Sequence, residues 1–541
     1  MRTPAVGFDE ESFTRLARAC DRLLETPGAG PSRLAVECLH VLNQHPLQLE
    51  KYRDLAPVFG GGPDKTPGYI KVGRKLRFLS YNGAALARNF WRCASYRIHG
   101  RPVDFEDINV DNIDVLIVSW LVNIAHVRDE DDFYFGRIQA ALAEQGLTSL
   151  LVWRNQSGRP AAALMTAAAR TGPYARVLLP DVAGLRTEWG LLMKAAGIRR
   201  GLRRQAASTT DKLDRSVALF AAKRAVTHAT VVNLRLQDQI ERLCRRLRPS
   251  AVITLYEGYA WERNVWRAAR AADDAVVCVG YQHTILQRLA HAVFRPLGRE
   301  CRSGPDVILT LGEVTSGMLK KSPVGAVAEI IEFGSHRRSP VVTAGGPSQN
   351  ATFLVLPEGI ESECILLFEF ALRCAALMPN ARFVFRTHPV LPFDTVSPKL
   401  STGGHLPPNV IVSDRREIEA DFERAGYLLY RGSSAVLYAV IAGLRPFYVA
   451  AAEELSIDPV FELGLWRETV ASPLEVKERF ERIRRQPNAA SADEWRQAAA
   501  YCARYTVPIE SRAVEKLADI VNRRKIGLRD GISKRNIADT R

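Results

Sequence analysis

At 541 residues the chain is too long for one compact core, which predicts two large domains with added pieces. Apolar residues at 47% and charged residues at 25% exclude wholesale disorder, and no window approaches the roughly 18 apolar residues of a membrane span. The net charge of +15 is concentrated in 194–248, which raises nucleic acid, an anionic membrane surface or a polyanionic substrate, beside plain solvated helix faces.

No helix-turn-helix, zinc-finger or aromatic RNA-binding signature accompanies that charge, so nucleic acid is set aside. The nine cysteines are scattered without a Cys-x-x-Cys pair, which argues against a disulfide framework or a zinc site. Asp9, Glu10 and Glu11 stand where a signal peptide would be basic and then apolar. The expectation is a cytoplasmic protein, at most peripheral on the inner membrane face.

Residues 1–105 read as a mainly helical N-terminal region. Helical spacing runs over 13–24 and 32–42, a Gly/Pro loop covers 60–68, and 77–96 is apolar and aromatic. From residue 112 strands and helices alternate. A strand at 115–121 is followed by Asp129-Glu130-Asp131-Asp132 and an amphipathic run over 133–145, which Gly146 closes as a C-cap. The tetrad contains Asp-x-Asp, a pattern that can hold a divalent metal. Its place before a helix favours acids complementing a helix N-terminus, and no metal is expected.

Strands follow at 149–153 and 176–179, then a basic helical insertion over 189–248. Strand 251–256, helix 260–272 and strands 276–281 and 306–311 complete a first series. A second series has strands at 329–333, 353–356, 383–385, 410–412, 427–430 and 446–449. Helices separate them at 361–377, 417–425 and 434–443, and a Pro/Gly/Ser loop lies at 339–350. Helices over 474–485 and 490–505 precede a terminal helix and basic tail, 506–541. Such alternation predicts an α/β protein with two Rossmann-like parallel-sheet lobes, 106–312 and 313–505, facing a cleft.

Three constellations stand at strand ends, where ligands sit in open α/β sheets. In Tyr256-Glu257-Gly258 a carboxylate precedes a helix. It can take a proton from a hydroxyl if burial raises its pKa, or it can cap the helix or pair with Arg263. In Arg386-Thr387-His388-Pro389 a guanidinium and an imidazole suit a phosphate or carboxylate. In Gly432-Ser433-Ser434 two hydroxyls and free N–H groups at a helix start suit an anion, with a plain Ser N-cap as the blander reading. Gln282 and His283 end the strand beside that of Glu257 and can face the same cleft, where His283 is either a ligand contact or a core histidine.

The order acid-Gly, His-Pro, Ser-Ser over residues 250–450 resembles the bacterial sialyltransferases and polysialyltransferases, and more loosely the capsule Kdo transferases. The texture of Glu257-Gly258 with Trp261-Glu262-Arg263 and Gly280-Tyr281-Gln282-His283 also looks like surface-carbohydrate biosynthesis proteins. The resemblance implies a GT-B fold and an inverting, metal-independent transfer from a CMP-sugar donor, with no further cofactor, to a glycan or lipid-linked acceptor. It implies Glu257 as general base and His388, Ser433 and Ser434 around the nucleotide; position at the strand ends adds Arg386, Pro389 and Gly432 on the donor side and Gly258, Gln282 and His283 toward the acceptor or cleft. The first acid of the family pair is Tyr256 here. A nucleotide-sugar 2-epimerase, a CDP-glycerol-type polymerase and a non-catalytic glycan-binding scaffold stay open as alternatives.

Overall fold

The computed structural model describes residues 7–26, 31–59, 68–99, 112–161, 164, 173–297, 302–336, 350–485 and 489–538. All but the last residue of the expected loops at 60–68 and 339–350 lies outside them. Two parallel sheets organise the chain. The first has the order β3-β2-β1-β4-β5-β6-β7: β1 Val115–Leu121, β2 Ser149–Asn155, β3 Ala175–Leu178, β4 Ala251–Leu255, β5 Val277–Tyr281, β6 Val307–Thr310 and β7 Glu329–Glu332. The second has the order β10-β9-β8-β11-β12-β13: β8 Thr352–Leu356, β9 Arg382–Phe385, β10 Val410–Val412, β11 Tyr427–Tyr430, β12 Arg445–Val449 and β13 Glu468–Val470. This is the GT-B-like pair of lobes expected, with a helical N-terminal region.

The strands are near-continuous apolar runs because helices cover both faces of each sheet. Ile117 stands between Leu151 and Ile253 in register, and all three are fully buried. In each sheet the chain moves outward on one side and then returns to build the other. The reversals fall between β1 and β4 in the first sheet and between β8 and β11 in the second. Ligands collect at such crevices because the connecting loops diverge there.

Several expectations change. β7 pairs with β6, so the first sheet reaches past the boundary expected at 312. Residues 133–137 form a turn locked by a bridge between Asp132 and Gly136, and the helix is only Ile138–Glu144. Asp132 is buried in that turn, accepting from Ser119 Oγ, the Tyr134 and Phe135 N–H groups and Trp153 Nε1 at 2.9–3.0 Å. Asp132 therefore holds a turn and does not face a helix start. Among the described residues no group of three His, Cys, Asp or Glu stands together as metal ligands. The helix expected at 417–425 shrinks to Glu419–Phe422, and β13 is an added edge strand.

The N-terminal region does not hang free. Its helix Glu10–Glu25 shares one core with the insertion helices Leu185–Ser208, Lys212–Arg224 and His228–Leu247. Its next segment runs between the lobes: Leu42 O accepts from Ala292 N–H, and Gln44 bonds to Leu289 N–H on one side and Ser456 O on the other. The terminal helix Ser511–Ala538 returns to the first lobe, where Val514, Leu517, Ala518 and Val521 enter its core. Both crossings between lobes meet at one place, where Ser335 bridges Pro508 and Gly334, at φ +101°, lies against the Pro508 carbonyl. The eight described cysteines are buried and free, as small apolar fillers are.

Candidate active site

Glu257 stands at the first reversal, just after β4. The helix Ala260–Ala272 that follows needs partners for its first N–H groups. Glu262 supplies them: its wholly buried carboxylate accepts from the N–H groups of Glu257, Gly258 and Tyr259 at 2.8–3.1 Å. Arg263 turns the other way and donates to Ala292 O at 2.6 Å. Neither structural duty expected for Glu257, capping the helix or pairing with Arg263, falls to it. Gly258 has φ +88°, and a Cβ there would strike Ala292, so glycine is required for the turn that aims Glu257. Gly258 is thus a backbone device.

The Glu257 side chain is 24% exposed, and its Oε1 lies 3.3 Å from His283 Nε2. Burial pushes its carboxyl up to about 7 by disfavouring the charged form. His283 packs on the Tyr134 ring at 4.9 Å. Trp120 in turn lies 5.4 Å from both Tyr259 and Trp261. A half-buried aromatic wall of Trp120, Tyr134 and Tyr259 therefore borders the carboxylate. Gln282 faces away from this wall, because successive strand side chains alternate. It is fully buried and its amide donates to Thr284 O. Gln282 is a core residue and not part of the cleft.

The second reversal puts Glu358, after β8, beside Gly432, after β11. A Cβ at Gly432 would collide with the Glu358 carboxylate, which lies 3.2 Å from His45 Nε2. The expected anion turn thus carries a carboxylate against its glycine. Beside Gly432, Ser433 is partly exposed and Ser434 fully so. Ser434 makes no side-chain cap bond to the seven-residue helix Ala435–Ile441, so the expected N-cap role is absent. His388 and Pro389 are exposed one strand over, with the His388 ring packed on Gly359.

Two arginines at this edge are engaged elsewhere. Arg386 Nη1 donates to Asp421 Oδ2 at 2.6 Å and to Arg415 O, and its Nη2 to Arg416 O. It clasps the loop after β10. Arg431 is buried between Glu363 and Glu454 at 2.8 and 2.7 Å and donates to Val449 O.

The edges face one another across the segment 42–45. Leu42 binds Ala292, which touches Gly258; His45 binds Glu358, which touches Gly432. Three residue steps reach at most about 11 Å, so segment 42–45 ties the two reversals to neighbouring places. Of the residues named from sequence, Glu257 and His283 meet on one side, and His388, Pro389, Gly432, Ser433 and Ser434 on the other. Sequence reasoning missed Glu262, Glu358 and His45. Glu358-Gly359 repeats the acid-Gly pattern at a strand end, and His45-Pro46 repeats His-Pro, so both signals were present.

No known family pattern matches the chain, and neither does any curated protein. Among solved structures it is similar to CalG4, the calicheamicin glycosyltransferase, with 16% identity over 76% of this chain and 99% of that one, TM-score 0.41. The UDP-GlcNAc 2-epimerase from Neisseria meningitidis bound to UDP-GlcNAc gives 12% identity over 76% and 99%, TM-score 0.38. A variant of the wall teichoic acid polymerase TagF gives 12% over 82% and 99%, TM-score 0.37. Similarities this weak decide nothing about activity.

Proposed function

We propose that the protein is an inverting glycosyltransferase that moves a sialic- or Kdo-type sugar from a CMP donor to a surface-polysaccharide or lipid-linked acceptor. The observation that carries a transfer reaction is Glu257, relieved of structural duty at the first reversal, which segment 42–45 ties to the second. The CMP donor and acid sugar rest on the acid-Gly, His-Pro, Ser-Ser order alone.

In this mechanism Glu257 accepts the proton of the acceptor hydroxyl. The oxygen attacks the anomeric carbon from the face opposite the nucleotide, the bond to the phosphate oxygen breaks, and the electron pair leaves with the phosphate. His283 orients the carboxylate. His388, Ser433 and Ser434 stabilise the leaving phosphate, a preorganised contribution that usually dominates, and no step calls on a metal. Glu358, which can only accept, suits donor hydroxyls and not the phosphate.

A lipid-linked acceptor fits a second feature. The helix Gly68–His99 has no acidic residue, and its Val72, Leu76, Leu79, Tyr81 and Trp91 are each more than half exposed. Basic helices with exposed apolar and aromatic residues bind anionic membrane surfaces, and a second copy of so basic a helix would be repelled. This helix, more than the insertion, is the membrane contact we propose. Among the described residues no helix is long and apolar enough to cross a membrane.

The test is incubation with CMP-, CDP- and UDP-sugars, with and without a glycan acceptor. Transfer from a CMP-sugar with inversion is expected. Acceptor-independent isomerisation of a UDP-sugar would mean an epimerase, transfer of a phosphoalcohol from CDP a polymerase, and binding without turnover a scaffold; each overturns the reading.

A further inference from the structure

Two strands from Glu257, the carboxyl ends of β2 and β3 open into a separate cavity of about 320 Å³. The helices Gly68–His99 and His228–Leu247 close it, contributing Asn89 and Arg92 from the first and His228 and Arg235 from the second. Most of its charges are matched. Arg235 is held by Glu188 at 2.5 and 2.8 Å, and Arg92 by Asp181 at 3.3 Å.

Arg154, near the end of β2, is different. No carboxylate among the described residues lies within 4.0 Å of its guanidinium, and its buried Nε has no hydrogen-bond partner. Its contact is the face of Trp261, 5.8 Å away. Glu37, the remaining acid of the lining, is exposed to solvent. Burial lowers the Arg154 pKa to about 10, the direction set when a cation lacks an anion.

Two neutral groups in the same lining are also unmatched. Asn89 is 4% exposed and its amide Nδ2 has no acceptor, and the buried His228 Nδ1 has no partner. Burial and the Arg235 cation hold the His228 imidazole below its ordinary pKa. Unsatisfied buried polar groups are costly and an unpaired charge more so. Here three of them line one cavity large enough for a single sugar ring, which suits a polar ligand.

We infer that this cavity binds a small hydroxylated acid, a sugar bearing a carboxylate or a phosphate, with the acid on Arg154 and hydroxyls on Asn89 and His228. β2 lies two strand spacings, about 10 Å, from β4, with Trp120, Tyr259 and Trp261 between. That sets the cavity beside, and not at, the hydroxyl Glu257 would deprotonate. Its service as an acceptor subsite rests on the transferase reading, whereas the binding does not.

The experiment is calorimetric titration of the full-length protein, without nucleotide, with glucuronate, glucose 6-phosphate and glucose. One of the two acids is expected to bind at least tenfold tighter than glucose, and which one does so tells carboxylate from phosphate. Arg154→Met is expected to abolish that preference with an unchanged or higher melting temperature, because no ion pair is broken. Asn89→Leu is expected to weaken the preferred acid severalfold, and Glu257→Gln to leave its binding intact even where transfer is lost. The inference is overturned if neither acid outbinds glucose, if the preference survives Arg154→Met, or if Arg154→Met does not fold.

Discussion

The strand edge of the first lobe and that of the second carry similar residue types and use them differently. After β4 the structural work goes to Glu262 and Arg263, and Glu257 is left facing the gap. After β9 and β11 the two arginines do the structural work themselves, Arg386 on Asp421 and Arg431 on Glu363 and Glu454. The second edge also carries the imidazole of His388, two serine hydroxyls and Glu358, which pairs with His45. A charged residue at a strand end therefore marks a site only once its hydrogen bonds have been traced.

The largest expected effect tests the residue without structural duty. Glu257→Gln should lower the transfer rate about 10²–10⁴-fold, the usual worth of a general base, while circular dichroism and the melting temperature stay as in the parent. The contrasting residue should do the reverse. Arg431→Gln leaves two buried carboxylates without their cation and should cost about 3–5 kcal/mol of stability, read as a lower denaturation midpoint. If Arg431→Gln kept full stability, the division of labour between the edges would be wrong. Gly258→Ala forces a side chain into left-handed backbone against Ala292 and should cost about 1–3 kcal/mol, with activity falling because Glu257 is displaced.

The smallest effect is on pH dependence. With the Glu257 carboxyl raised to about 7, activity should climb as pH rises through 7, and the residual rate of Glu257→Gln should lack that step. The folded state holds this proton more tightly than the unfolded chain, whose carboxyl titrates near 4.5. Its contribution to stability is therefore complete below pH 4.5 and lost as pH rises through 7. Glu257→Gln should flatten that part of the stability profile.

Much of the framework is legible from sequence because buried parallel strands are β-branched and apolar over their whole length. Val115–Leu121 and Ala251–Leu255 stand within one residue of where the pattern puts them. Edges are less legible. β7 reads as the start of the second lobe because nothing in Glu329–Glu332 says which sheet it joins. Within the site, Glu257 and His283 are found from position alone. The capping role of Glu262 is hidden because the N-cap is Tyr259, outside the usual Ser, Thr, Asp or Asn. The engagement of Arg386 depends on a loop almost thirty residues later in the chain, which no local pattern reveals.

The meeting of Ser335 with Pro508 has a mechanical result. Two covalent links fastened together at one spot resist sliding past each other. Gly334 lies at that clasp with a carbonyl where a side chain would be. Any larger residue there would have to prise the two links apart.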